Sequence, residues 1–407
     1  MDTIYSKNGN VITPRPNWAA PVTESFEYRT EIFEAETGEE RRSSQRTMPR
    51  ISVQYRADMF DERARQAFEE TVRPTDREFI LPFRWRHVRL ASPVNSGATQ
   101  FTFDSPLPWW LSVGTKLVLE SSDTQEVVTV ASVTGSAPPF TIGASAPFSG
   151  DFAAGSLVML GQTARYPQQM DYNSIVRSHR RIAPTFEVLP ESLLEWETPP
   201  YSGETFKGLE VHRGRHNWIG GLGTTSDDRR EVVDFGRGVR DVTWARTHVI
   251  YTEKRVYTAM GKVEADALVH VFMRHRGMRV PFWTRSTLKS LPQHSHGYSG
   301  TTSLWFDGTP LRATWDNNPV FKYLWVEWPD GSRQINRVTS RNESGGDERF
   351  IMSDPWDKGI DPTTEIHWAV LARFATDRLS LEWVTDEHCE ASLPVRYLHC
   401  DWADDVV

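Results

Sequence analysis

The chain is poor in cysteine, with only Cys389 and Cys400 among its 407 residues. Two thiols cannot staple a protein of this size, so a reducing compartment suits its folding and a cytoplasm is the expected place of synthesis. The opening MDTIYSKNGNV is polar and has no apolar core, so no secretory signal is expected. No run approaches the length of apolar residues that a membrane-spanning helix needs, and no membrane partner is expected. Positive charge is not in excess either: the formal net charge is -8. A protein that lives by neutralising phosphates carries the opposite balance, which argues against a specific nucleic-acid partner. Catalytic signatures are missing as well. There is no phosphate-cradling P-loop, no HExxH and no nucleophile elbow, and nothing places the pair of carboxylates that a glycosidase requires. The expectation is a non-enzyme without a cofactor.

What the sequence does have is aromatic residues: 16 Trp, 20 Phe and 11 Tyr, punctuated by 26 Gly and 25 Pro. Aromatic side chains suit half-buried sheet surfaces, and frequent Gly and Pro leave little room for long helices. A mainly β fold with short helices follows.

The β segments are arranged as a tandem duplication, in which weak matches recur in the same order along the chain. Arg15-Pro16-Asn17-Trp18 returns as Arg215-His216-Asn217-Trp218, and Glu39-Glu40-Arg41-Arg42 as Asp227-Asp228-Arg229-Arg230. Leu81-Pro82-Phe83 is answered by Val280-Pro281-Phe282, and Ala164-Arg165-Tyr166 by Ala372-Arg373-Phe374. Ala64, Ala67, Phe68 and Thr71 lie at the spacing of one helical face, which Ala265, Leu268, Val269 and Phe272 repeat in a helix closing near Gly277. A strand through Ile51, Val53 and Tyr55 precedes the first helix, and Val242, Trp244 and Arg246 take that role before the second. Each half then holds short strands with turn chemistry, most clearly where Pro329-Asp330-Gly331 separates Leu324–Trp328 from Gln334–Val338.

The predicted architecture is a β-sandwich-like unit with one helix and an inserted small β-barrel module, present twice. The first repeat spans 1–190, with its core at about 15–95 and 164–190 and its module at about 98–163. A linker at 191–208 leads to the second repeat, 209–407, with its core at about 209–300 and 371–407 and its module at about 301–370.

Several clusters invite a chemical reading. His388-Cys389 and His399-Cys400 offer zinc-type ligands, but neighbours in a strand point to opposite faces, so a metal would need help from His294 or His296. Buried thiols beside surface histidines are the simpler reading. Asp354, Asp357 and Asp361 resemble a calcium loop but miss the EF-hand spacing, which favours an ordinary turn. Gly220-Gly221-Leu222-Gly223 reads as a flexible loop. Arg177, Arg180 and Arg181 around His179, and Arg274, Arg276 and Arg279 around His275, read as solvated or salt-bridged surface rather than a docking patch. Trp109, Trp110, Trp325 and Trp328 are candidate interface aromatics, with a sugar-stacking platform as the alternative for the adjacent pair; Trp305 and Trp315 read the same way.

The stretch Asn17-Trp18, Thr30 to Arg42 and Pro49-Arg50-Ile51 resembles the opening of distal tail or tail-tip proteins of long-tailed, siphovirus-like bacteriophages. There a strand ends in a turn of the pattern T/S-G-x-E-x-R and passes to a Pro-Arg strand. Arg276 to Trp283 is similar to that family's helix, glycine turn and Phe-Trp strand, and Leu379–Trp383 to Val395–Leu398 to its closing strands. The resemblance implies a structural virion component: a self-associated ring that joins the tail tube protein to the hub and baseplate proteins, with no catalytic residues. The duplicated unit departs from a single-unit tail-tip protein and leaves three or six copies open. A carbohydrate- or receptor-binding module of a phage tail is the alternative.

Overall fold

The structure, a computed structural model, describes residues 11, 14–34, 40–59, 66, 68, 78–121, 124–166, 172–176, 179–189, 200–213, 216–217, 223–228, 230–234, 236, 240–244, 249–287, 291, 295–306, 318–344 and 346–400. It is mainly β, with two large sheets of twelve strands each and smaller two- and three-stranded sets. Of the first helical stripe only Phe68 is described, and it is buried. The second helix runs Lys262–His275 and buries Ala265, Val269, Phe272 and Met273. Its stop is built from Arg276 and Gly277, both at positive φ, whose N–H groups bond back to Met273 and Phe272.

Strand by strand, the pairing in one half recurs in the other. Val22–Glu27 pairs with Arg50–Gln54, which pairs with Thr185–Val188, and that strand pairs with Leu157–Arg165. Thr224–Asp227 leads in the same way through Ile250–Glu253 and Val395–Tyr397 to Glu365–Phe374. Leu157–Arg165 is flanked by Phe79–Arg89 and Lys116–Glu120, and Glu365–Phe374 by Phe282–Arg285 and Tyr323–Glu327. From there Gln125–Thr134, Phe140–Ala144 and Gln100–Phe103 match Arg333–Ser344, Asp347–Met352 and Ser303–Phe306.

Satellite elements obey the same rule. The hairpin with Glu34 opposite Glu40 answers the hairpin with Asp234 opposite Arg240. The set Ala57–Met59, His179–Ile182 and Tyr172–Val176 answers Val256–Met260, His388–Ser392 and Arg378–Trp383. Asn17 N–H donates to Arg56 O at 2.6 Å, and Asn217 N–H to Val256 O at 2.7 Å. The Pro-Asp-Gly turn forms as expected: Trp328 N–H reaches Ser332 O at 2.9 Å, with Gly331 at φ 81.

Register corrects three of the sequence matches. Glu40 lies on the returning strand of its hairpin, whereas Arg230 opens the outgoing strand of the second; the counterpart of Glu40 is Arg240. Phe79 stands opposite Ala164 and Phe282 opposite Ala372, so Phe282 answers Phe79 and the Pro-Phe match is out of register. The counterpart of Val53 and Tyr55 is Glu253 and Arg255; Arg240–Trp244 is instead a hairpin strand. The inserted modules are also not closed barrels. Each is an extension of its large sheet, and in the first half the path ends at Gln100–Phe103, tied back by a bond from Ala91 N–H to Thr102 O at 2.9 Å.

One hydrophobic core runs through both halves, from Val22 to Tyr397. Within it the repeats fill equivalent positions differently. Val53, Tyr55, Leu81, Phe83 and Val188 form an apolar group in the first; their counterparts by register are Glu253, Arg255, Thr284, Ser286 and Tyr397. All ten are buried. The polar five are hydrogen-bonded, as burial demands: Arg255 to Glu253 at 3.1 Å and to Thr284 Oγ1 at 2.8 Å, and Tyr397 Oη to Ser286 Oγ at 3.1 Å and to Glu253.

Candidate functional site

The halves meet by strand addition. Arg378–Trp383 of the second half lies antiparallel on the outer edge of Val22–Glu27, with Glu24 opposite Leu381. Alternation along Val-Thr-Glu-Ser-Phe-Glu leaves Glu24 fully buried at this seam. Its carboxylate accepts Trp85 Nε1 at 3.0 Å, Trp383 Nε1 at 3.1 Å and Arg86 Nε at 3.0 Å. Arg86 also pairs with Asp266 on the helix of the second half and lies over the Trp383 ring. These charges are buried but paired, the arrangement that makes them tolerable.

The first hairpin forms a second part of the seam. Asp377 accepts Thr30 Oγ1 and Met278 N–H, each at 2.9 Å. A Cβ on Gly277 would lie 2.4 Å from its carboxylate, so this approach requires the glycine. Glu40, in the same hairpin, is enclosed by Arg42 at 2.6 Å, Arg396 at 3.2 Å and Arg373.

The edges corresponding to this seam elsewhere on the molecule are treated differently. The strands of Thr224 and Tyr172, counterparts of those carrying Glu24 and Leu381, each ladder with one neighbouring strand among the described residues. Thr224 and Thr225 are exposed. The counterparts of Arg373 and Arg396 are Arg165 and Glu187, which pair with one another at 2.9 Å on a partly exposed surface.

The candidate aromatics are internal. Trp110, Trp325 and Trp328 are buried core residues, and half-buried Trp109 packs edge-on against His270 of the second half's helix at 4.6 Å. Trp305 is covered on one face by Arg349. Cys389 and Cys400 are buried in separate clusters, and burial pushes the Cys389 thiol up to about 12. The Asp361 carboxylate closes an ordinary turn on Thr363 and Thr364. Arg181 and His179 both reach Asp58. His294, Trp315, Arg177 and Gly220 to Leu222 lie outside the described residues, as does the Ala35–Glu39 part of the tail-like motif.

One cluster was not visible in the sequence. Glu210 and His212, on one face of Leu209–His212, meet His275 at the end of the helix. The two imidazole Nε2 atoms are 2.7 Å apart, and Glu210 Oε2 lies 3.2 Å from one and 3.3 Å from the other. The i, i+2 spacing of Glu210 and His212 was the available signal. Burial pushes the His275 imidazole below its ordinary range, which favours its neutral form.

No family model matches the chain, and no curated protein shows significant similarity to it.

Proposed function

We propose that the protein is a non-enzymatic structural component of a long-tailed phage tail tip, a ring between the tail tube and the host-recognition apparatus. The supporting observation is the unequal use of equivalent edges. Among the described residues, strand addition between the halves occurs once, between Val22–Glu27 and Arg378–Trp383. The corresponding edges at Thr224 and Tyr172 remain as templates for the same addition between copies, since an edge strand presents backbone donors and acceptors to another chain. Transfer of the internal register sets Thr224 of one copy opposite Tyr172 of the next.

Charge is only partly carried over. In the chain Glu40 meets Arg396 and Arg373; at the corresponding positions stand Arg240, Glu187 and Arg165, so one attraction returns with its signs exchanged while Arg165, itself paired with Glu187, carries the same sign as Arg240. Because the two surfaces differ, the contact is head-to-tail, and such contacts close into rings or run on as filaments. Three copies would offer six similar repeats to a six-fold tube; six copies would offer two layers. Trp110, Trp325 and Trp328 are buried and so present no ring face for stacking on a sugar.

The test is an untagged full-length chain carrying Thr224→Cys and Tyr172→Cys. Directly opposed residues on antiparallel strands are close enough for a disulfide. Mild oxidation is expected to give a covalent ladder ending at the ring's copy number, matching the mass of the wild-type assembly of 46.6 kDa chains. A wild-type protein that stays monomeric at every concentration and is absent from tails would overturn the proposal.

A further inference from the structure

We infer that Glu210, His212 and His275 form a divalent transition-metal site suited to zinc. A tetrahedral zinc ion with bonds of about 2.0–2.1 Å holds its ligand atoms roughly 3.3 Å apart. Two of the three separations here already have that value, 3.2 and 3.3 Å. The third, 2.7 Å between the imidazoles, opens with a small turn of the His212 ring, which is the less buried of the two. One carboxylate oxygen and two imidazole nitrogens are a donor set that zinc accepts.

The surroundings orient all three groups. His275 Nδ1 lies 3.2 Å from Val280 O; donation of its proton there turns the lone pair of Nε2 towards Glu210. Arg274 Nε holds the Glu210 carboxylate at 2.9 and 3.1 Å and stacks over Tyr201, whose hydroxyl donates to Val211 O at 2.7 Å. The cation of Arg274 opposes a metal charge, so the affinity is lower than that of a closed four-ligand site. Glu210 and His212 are partly accessible, which gives an ion a path in and a solvent molecule the fourth position. The ion would clamp the strand that opens the second half to the end of that half's helix.

Metal-stripped, untagged full-length protein titrated with zinc chloride is expected to bind one equivalent, and cobalt(II) to give the intense visible absorption of a tetrahedral site. His212→Ala, at the partly exposed ligand, should weaken zinc binding by at least about tenfold while retaining the fold; loss of a supporting group alone commonly costs about 10–100-fold. Wild-type protein that gives no tetrahedral cobalt spectrum, or a folded His212→Ala variant that binds zinc as tightly as wild type, would overturn the inference. Neither result bears on ring formation, which the cross-linking experiment reads separately.

Discussion

Glu24 and Thr224 occupy the same position of the same strand in the two repeats, and their surroundings are opposite. Glu24 is sealed under a strand from the far end of the chain and holds two tryptophans and an arginine; Thr224 is exposed on an edge. The difference teaches that the fold unit alone does not decide what is core. A polar residue in an alternating strand becomes structural only when another strand is laid beside it. Substitution should expose this contrast most strongly. Glu24→Ala leaves Arg86 with Asp266 alone and orphans two indole N–H groups, and is expected to cost about 3–5 kcal/mol in urea unfolding. Thr224→Ala should stay within about 0.5 kcal/mol for the isolated chain. Equal effects at the two positions would show that the seam does not carry the buried charge.

The same contrast explains how much could be read in advance. The duplication was legible where both copies retain the same local chemistry, as at Asn17 and Asn217, whose backbones make the same bond. The hairpin at Asp330 was legible because its turn residues act locally. The seam was not, because nothing in Val-Thr-Glu-Ser-Phe-Glu announces that Arg378–Trp383 will cover it. The tryptophans were ambiguous for the same reason: composition signals large apolar surfaces but not whether a second chain or the chain itself buries them. The histidine cluster depends on a strand and a helix end brought together only by tertiary structure.

A smaller effect should appear at the hairpins. Thr30–Glu34 and Glu40–Ser44 are tied to the second half through Asp377 and Glu40. Asp377→Ala removes acceptors for Thr30 and Met278 and is expected to cost about 1–3 kcal/mol. Hydrogen exchange is the sharper readout: the first hairpin should be the better protected in the free chain, and Asp377→Ala should bring it towards the rate of the second. Assembly into a ring should protect the second hairpin and reduce the difference. A difference unchanged by assembly would separate the hairpin from the contact between copies.

A small net change in stability is expected where the two cores differ most in chemistry. Burial by itself pushes the Glu253 carboxyl up, but Arg255 and hydrogen bonds from Thr287 and Tyr397 outweigh it and hold the group below its usual range. The folded state therefore prefers the ionised form. Its contribution is present above the ordinary carboxylate pKa and is lost as pH falls through the lowered folded value. Val53 and Tyr55, at the same positions of the first repeat, have no such acid dependence. Converting the second repeat to the first with Glu253→Val and Arg255→Tyr removes both charges together, and so avoids stranding one of them. Replacing a buried pair by apolar residues is often neutral or stabilising, so the net change at neutral pH should lie within about 2 kcal/mol, reduced by the partners that Tyr397 and Thr284 lose. The loss of stability on acidification should be shallower than in the wild type. If urea unfolding at neutral and acidic pH shows the same slope for both proteins, then the Glu253–Arg255 pair is not what makes the second core respond to acid.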